Sequence, residues 1–313
     1  MMKNILSLLV VFMVFSCKKE VDDVDFSVDL SSTNSYEAGQ PVTFNIMGNP
    51  NYITFYSGEY GADYTFKNVT SFNEPNMKAF LRFTSKVESA AANNTLSVLM
   101  NDGFNGLVAN NYKTDSTSIV DAQWNDLTTL AALPTSQNQE KDTEIDITNY
   151  LNKQTTIAFK YATIPQATVQ QPKWTISNFR IVLQLANGYE KESQDSLRRG
   201  FLPFDFNNKT APYTIGAVAG RWNIISNQKS FVMTNTAAGL TQTSNLDYVI
   251  SRPMLLNQVS PDMGIAIKSV KDRINSYSYI FAQPGTYQVT FVAKNATSKS
   301  EKEIVKHLTV NIK

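Results

Sequence analysis

Residues 277–291 read Tyr-Ser-Tyr-Ile-Phe-Ala-Gln-Pro-Gly-Thr-Tyr-Gln-Val-Thr-Phe, and the reading of this stretch decides the fold. Tyr287, Val289 and Phe291 alternate with Gln288 and Thr290. Successive side chains of a strand point to opposite faces, so this period of two predicts a strand with one buried face. Pro284-Gly285 just ahead is expected to turn, Pro presetting φ at the first corner and Gly taking positive φ at the second. Leu308, Val310 and Ile312 repeat the alternation near the C-terminus, with a second turn expected at residues 295–298. Toward the other end the same pattern returns in Phe26, Val28 and Leu30, in Val42, Phe44 and Ile46, and in Ile53 and Phe55. Strand after strand with one apolar face predicts an all-β protein.

The two ends read as halves of one domain. Ala38-Gly39-Gln40-Pro41-Val42-Thr43-Phe44 resembles the opening, and residues 277–291 the closing half, of a polycystic-kidney-disease (PKD) type immunoglobulin-like sandwich. The Trp-Asp-Phe-Gly-Asp-Gly segment typical of that family is absent, its slot being filled by Phe55-Tyr56-Ser57-Gly58-Glu59. Residues 24–64 and 270–313 together make about 85 residues, an ordinary size for such a sandwich. If they form one body, Phe44 and Phe291 share a core, and residues 65–269 are an insertion.

The insertion is also rich in strand patterns, at Phe80–Phe83, Leu96–Met100, Thr156–Tyr161 and Trp174–Ile181. Residues 102–106, Asp-Gly-Phe-Asn-Gly, have the composition of a turn. Short helices are expected at Asp146–Leu151 and near Glu190–Arg199, where Lys191, Asp195 and Arg198 would face water. The order of these pieces, with Trp124-Asn125-Asp126-Leu127-Thr128 between them, resembles a galactose-binding-like jelly roll. With Phe55–Glu59 ahead of it, most of the chain after the leader resembles the Bacteroidetes lipoprotein family called domain of unknown function 5017. That resemblance implies surface lipoproteins encoded beside starch-utilisation-type glycan import systems.

Ahead of these domains stands a leader. Lys3 precedes a nearly unbroken apolar run from Ile5 to Ser16, and Cys17 follows. Twelve helical residues rise only about 18 Å, against a bilayer core of about 30 Å, so the run is a signal-peptide core rather than a span. Val14-Phe15-Ser16-Cys17 resembles the bacterial lipobox, with Phe15 bulkier than the usual occupant. The resemblance implies cleavage after residue 16 and acylation of Cys17, the single cysteine of the chain, which leaves no disulfide. Several acyl chains would provide the multiple signals that stable anchoring requires. Residues 17–23 read as a charged tether. Lys18-Lys19-Glu20-Val21-Asp22-Asp23 also resembles the signal that exports such lipoproteins to the outer face of the outer membrane.

Charge narrows the partners. Residues 1–16 carry Lys3 alone, so their removal leaves 27 basic and 27 acidic side chains. A neutral chain lacks the cationic field that nucleic-acid binding needs.

Candidate chemistry is sparse. The only histidine, His307, lies on the outward face of the last predicted strand, and a Ser-His-Asp triad would need a pocket there. One His and an acylated Cys exclude a zinc site of the usual ligands. Glycoside hydrolysis needs two carboxylates at a set separation; Asp102, Asp121, Asp126 and Glu144 are available, but no motif selects a pair. Asp102 and Asn105 could contribute oxygens to Ca²⁺, yet they lack the acidic spacing of a calcium loop and read as an Asx-Gly turn. Asp115-Ser116-Thr117 and Asp195-Ser196-Leu197 resemble short O-glycosylation acceptors.

No catalytic residue, metal or cofactor is assigned. The amide- and aromatic-rich composition fits a β-sandwich that reads sugars with aromatic faces and polar edges. Trp124 and Trp174 read as core. Trp222, after a glycine-containing stretch, is the tryptophan expected at the surface, with Tyr112 in a polar loop and Tyr213 as further ligand-binding candidates. The function expected is non-catalytic glycan capture at the cell surface beside outer-membrane import proteins. The rival is a structural or adhesive role with a protein partner. Mass spectrometry of the native protein should find residues 1–16 gone and the Cys17 sulfur acylated; an intact leader or a free thiol overturns the assignment.

Overall fold

The computed structural model describes residues 20–31, 35–164, 170–195, 200–216, 220–225, 230–234 and 244–313. Cys17 and the leader lie outside these residues. The described chain is nearly all β and divides into two compact units, Met1–Lys67 with Asp262–Lys313, and Asn68–Pro261. The chain enters the first unit with β1 (Phe26–Leu30), β2 (Pro41–Gly48) and β3 (Tyr52–Tyr56). The second unit holds β4 (Lys78–Glu88), β5 (Leu96–Asn101), α1 (Tyr112–Asp121), β6 (Asn125–Asp126), α2 (Thr128–Ala131), β7 (Glu140–Asp146), β8 (Gln154–Thr163), β9 (Lys173–Gln184), β10 (Glu190–Asp195), β11 (Leu202–Asp205), β12 (Arg221–Ile225), β13 (Ser230–Thr234), β14 (Asn245–Ile250) and β15 (Met254–Leu255). The chain returns to the first unit with β16 (Ile265–Lys268), β17 (Ser276–Ile280), β18 (Gly285–Ala296) and β19 (Glu301–Ile312). No helix among the described residues is long and apolar enough to cross a membrane.

In the first unit, antiparallel sheets of order β1-β2-β17 and β16-β3-β18-β19 join the two ends of the chain. Phe44 stands opposite Tyr277, and Phe55 opposite Phe291. The alternation of the sequence puts Val42, Phe44 and Ile46 into the core with Phe55, Val289, Phe291 and Val310. Phe44 and Phe291 meet edge-on with centroids 5.2 Å apart, and Phe55 meets Phe291 at 5.1 Å. Edge-to-face pairs suit the aromatic quadrupole and add about 0.5–1.5 kcal/mol each beyond area burial.

Several details of the first unit differ from expectation. The return begins before β16, at Asp262, because Ile265 pairs with Phe55. Gly285 is not among the positive-φ glycines; it opens β18 opposite Ile312, and the chain bends at Ala282 and Gln283. Pro284 suits that place because it has no N–H to give to a ladder. The β18–β19 turn closes at Thr297–Ser300, where the Thr297 amide donates to the Ser300 carbonyl at 2.9 Å. Residues 21–23 are not a free tether. Val21 is buried, Lys302 Nζ lies 2.7 Å from Asp23 Oδ1, and Asn295 donates to the Asp22 and Asp23 carbonyls.

The second unit has one sheet of order β12-β13-β9-β4-β7 with β10 on β9, and another of order β11-β14-β8-β5-β6 with β15 on β8. Phe83, Phe159, Trp174, Phe231 and Trp222 are buried in this unit, with Phe83 and Phe159 edge-on at 5.3 Å. Strands β5 and β8 are buried on both faces: Val98 and Phe159 lie on one, Leu99 and Ala158 on the other. Two-sided burial gives continuous apolar runs instead of alternation. The second face is covered by α1 and residues around Phe204, whose cluster includes Ile119, Tyr248 and Ile250.

The expected helix near Glu190–Arg199 is instead β10 over its described part. Lys191 and Ser193 are buried in alternation, and Glu190 accepts two hydrogen bonds from Arg82, at 2.7 and 2.8 Å. Arg198 lies outside the described residues. The expected helix at Asp146–Leu151 shrinks to one 3₁₀ turn, Thr148–Tyr150. Asp146 Oδ1 accepts from the Thr148 amide at 2.9 Å; that hydroxyl and amide hold the Asp146 carboxyl below its usual range.

Two acids face each other where β11 meets β14. Asp205 stands opposite Asp247. Arg221 Nε lies 3.3 Å from Asp205, while neither carboxyl oxygen of Asp247 has a hydrogen-bond partner among the described residues. Burial first, and the Asp205 carboxylate second, push Asp247 up to about 9. A carboxyl raised in this way binds a proton in the folded state that the unfolded chain releases above about pH 4. The contribution of Asp247 to stability therefore falls as pH rises from about 4 to 9. Asp247→Asn, which keeps the shape and removes the ionisation, should raise Tm at pH 8 by several degrees and by much less at pH 5. Each kcal/mol corresponds to roughly 2–4 °C in a domain of this size, and thermal melts of both proteins at the two pH values check it.

Candidate functional site

The second unit has a cleft of about 480 Å³ at one end of the β11-β14-β8-β5 sheet. One wall is the loop Asn105–Ala109 after β5; the other is Ser251–Pro253 after β14; Leu202, Ile250 and Gln154 complete it. Close approach shapes both walls. Gly106 has φ +88°, and a Cβ there would sit 2.9 Å from Pro253 Cδ. Gly200 has φ +58°, and a Cβ there would sit 2.8 Å from Arg252 Nε. A side chain at either place would strain the backbone angle and push Pro253 or Arg252 aside.

The first wall is held from behind by one carboxylate. Asp115, fully buried in the first turn of α1, accepts from the Val108 amide at 2.8 Å, the Ala109 amide at 2.9 Å and the Tyr213 hydroxyl at 2.6 Å. Asn111 caps the helix, its Oδ1 accepting from the Thr114 amide at 3.1 Å. An acid in the first turn also suits the partial positive charge of a helix N-terminus. Burial, and then the Asp115 carboxylate, hold the Tyr213 hydroxyl protonated well above the usual tyrosine range.

Tyr112 and Tyr213 are brought together, but as framework. Tyr112 is not in a loop: it opens α1, stacks on Phe204 at 5.5 Å and donates to the Phe206 carbonyl at 3.0 Å. Tyr213 meets the same Phe204 edge-on at 5.6 Å. Trp222 is not a surface platform. It is 1 % exposed on the inward register of β12, opposite Met233, and its Nε1 has no hydrogen-bond partner among the described residues. Trp174 is buried and donates to Thr95 Oγ1 at 2.9 Å; Trp124, half-buried, donates to the Ile119 carbonyl at 2.9 Å.

Three of the four carboxylate candidates are engaged separately, and Asp121 is exposed at the end of α1. Asp102 pairs with Lys153 at 2.9 Å, which lowers its pKa. Glu144 pairs with Arg82 at 2.6 Å, and Asp126 Oδ1 accepts from the Thr128 amide. Among the described residues no three His, Cys, Asp or Glu side chains are grouped to hold a metal. His307 is exposed, with Nδ1 2.9 Å from Thr290 Oγ1. Asp115 of the short acceptor pattern is committed to the cleft wall, and Ser196 and Leu197 lie outside the described residues.

The first cleft wall lies within a stretch that a family model covers. The model for a domain of unknown function, DUF5017, matches residues 16–201. The chain belongs to the DUF5017 family. Comparison with curated proteins found no match, and comparison with solved structures found none. In this DUF5017 protein the matched stretch includes β1 to β10, α1 and the Asn105–Ala109 wall; Ser251–Pro253 lies beyond it. Arg252, Gln154 and the aliphatic wall carry no motif, and only Asn105 was singled out by its turn composition.

If Asp115 holds the wall, Tyr213→Phe should cost about 1–2 kcal/mol, one hydrogen bond to a charged group. Asp115→Ala, which strands two amides and a hydroxyl, should cost about 2–4 kcal/mol. Urea unfolding midpoints give both numbers, and a smaller loss for Asp115→Ala than for Tyr213→Phe contradicts the arrangement.

Proposed function

We propose that this DUF5017 protein is a lipid-anchored surface protein that captures a glycan and does not transform it. Cys17 would carry the lipid and hold the protein at the outer membrane of a Bacteroidetes cell, facing outward. The first unit, read as PKD-like, would be a rigid spacer, and the second, read as a jelly roll, would carry the recognition surface beside import proteins.

One observation carries the reading. The cleft lining mixes aliphatic Leu107, Val108 and Pro253 with polar Asn105, Gln154 and Arg252. A sugar ring has the matching division, C–H faces that leave water readily and a rim of hydroxyls that need partners. Among the described residues no carboxylate lines the cleft, whereas glycosidic hydrolysis ordinarily needs two. The second reading, a protein partner, draws support from exposed apolar side chains of the first unit. Met263 is 77 % exposed, Tyr60 60 % and Ile265 45 %.

Affinity electrophoresis against a panel of polysaccharides tests the choice. At least one glycan should retard the protein, and Asn105→Ala with Gln154→Ala should abolish the retardation. No retardation by any glycan, with capture of a membrane protein through Met263 and Tyr60, reverses the two readings.

A further inference from the structure

We infer that the cleft selects a saccharide bearing an oxyanion, a carboxylate or a sulfate ester, and that Arg252 is the group that pairs with it. This rests on the glycan-binding reading and names the class of sugar.

Among the described residues, Arg252 is the only charged one lining the cleft. The other described arginines of the second unit are occupied. Arg82 donates to Glu144 and, in a two-pronged pair, to Glu190; Arg221 donates to Asp205; Arg180 donates to the Asn178 carbonyl. Arg252 makes no hydrogen bond or ion pair among the described residues. A guanidinium offers five donors in a planar fork that fits two oxygens of one anion, so an unoccupied one on a cleft wall is a ready receptor for such a group.

The surroundings favour that use. The carboxylate behind the first wall, Asp115, is 0 % exposed and already accepts from two amides and a hydroxyl, so it does not reach into the cleft to neutralise Arg252. The guanidinium lies against Gly200, where a Cβ would come within 2.8 Å of Nε and 3.3 Å of Cζ. That contact limits where the side chain can go and lowers the entropy lost when it pairs.

A second polar concavity gives the contrast. It is about 350 Å³ and lined by Arg82, Thr84, Asp142, Glu144, Asn178 and Arg180. There the two arginines are matched by two acids, Asp142 and Glu144, and Arg82 is already held by Glu144 and Glu190. That face offers an anion no uncompensated cation, whereas the described lining of the cleft does.

Isothermal titration of the mature protein with three oligosaccharide sets of matched length tests the inference: neutral, uronic-acid-containing and sulfated. One anionic set should bind roughly tenfold or more tightly than the neutral set, about 1.4 kcal/mol, and weaken as salt is raised. Arg252→Gln should remove that preference, Arg252→Lys should restore part of it, and Gly200→Ala should weaken it by displacing the guanidinium. The uronic and sulfated arms identify which oxyanion is read. Neutral sugars bound as tightly as anionic ones, or anionic binding untouched by Arg252→Gln, overturns the inference. If neutral binding is then lost in Asn105→Ala with Gln154→Ala, glycan capture stands without it. No binding by any of the three sets overturns both.

Discussion

The ladder between β3 and β18 is the constraint on which the first unit depends. It sets Phe55 beside Phe291 across more than two hundred residues of intervening chain. Closing so long a loop costs less than its length suggests, because the entropy grows only with the logarithm of length, about 0.6 kcal/mol per doubling. What the ladder must supply is specificity of register, since a slip by one residue would turn Phe291 outward and Thr290 inward. The rings of Phe44, Phe55 and Phe291 enforce the register by meeting in one place. Local bonds then define where the chain leaves and returns. In the first unit the Asp262 and Met263 amides donate to the Phe66 and Gly61 carbonyls; in the second, the Val259 amide donates to the Thr70 carbonyl. An insertion whose ends are tied within each body can fold around its own core.

In the second unit a single buried charge has the comparable role. Removing a carboxylate from water is costly unless donors replace the lost hydration. Asp115 finds three, and all belong to segments other than its own helix: two amides of the Asn105–Ala109 loop and the hydroxyl of Tyr213. One side chain therefore joins α1, the loop after β5 and the residues after β11. Had the same position held an apolar residue, the loop would have no fixed partner, and the cleft would have no wall of defined shape.

Much of this was legible in sequence and some was not, for physical reasons. Val42, Phe44, Ile46, Val289 and Phe291 announce their strands because one face of each sheet is buried and the other is wet. Strands β11 to β15 and helix α1 carry a weaker signal. Tyr112, Ile119 and Ala122 touch the core of α1's cluster, but Asn111 to Thr117 is polar enough to read as a loop. Lys191 and Ser193 look solvent-directed by type, yet β10 buries them. Trp222 misled in the same way: a tryptophan among Gly220, Arg221 and Asn223 has surface-like neighbours, and only the register with Met233 shows which face it takes. Composition reports what a residue prefers, whereas burial follows from the partner strand opposite.

The aromatic side chains of the second unit turn inward for a related reason. A large ring is as useful to a core as to a stacking platform, and its area is worth most when all of it leaves water. Here Trp174, Trp222 and Phe204 are buried within the second unit, and Tyr112 and Tyr213 flank Phe204 with their hydroxyls already bonded. The cleft is made of what such packing leaves at its rim: two glycines that permit close walls, aliphatic side chains, amides and one arginine. None of these is conspicuous in a sequence, because each is ordinary alone. Arg252 becomes distinctive only beside Arg82, Arg180 and Arg221, whose partners are visible, and in a lining without an acid among the described residues. Absence of a counter-charge is a property of the folded neighbourhood, so a site defined by it can be read only after the fold.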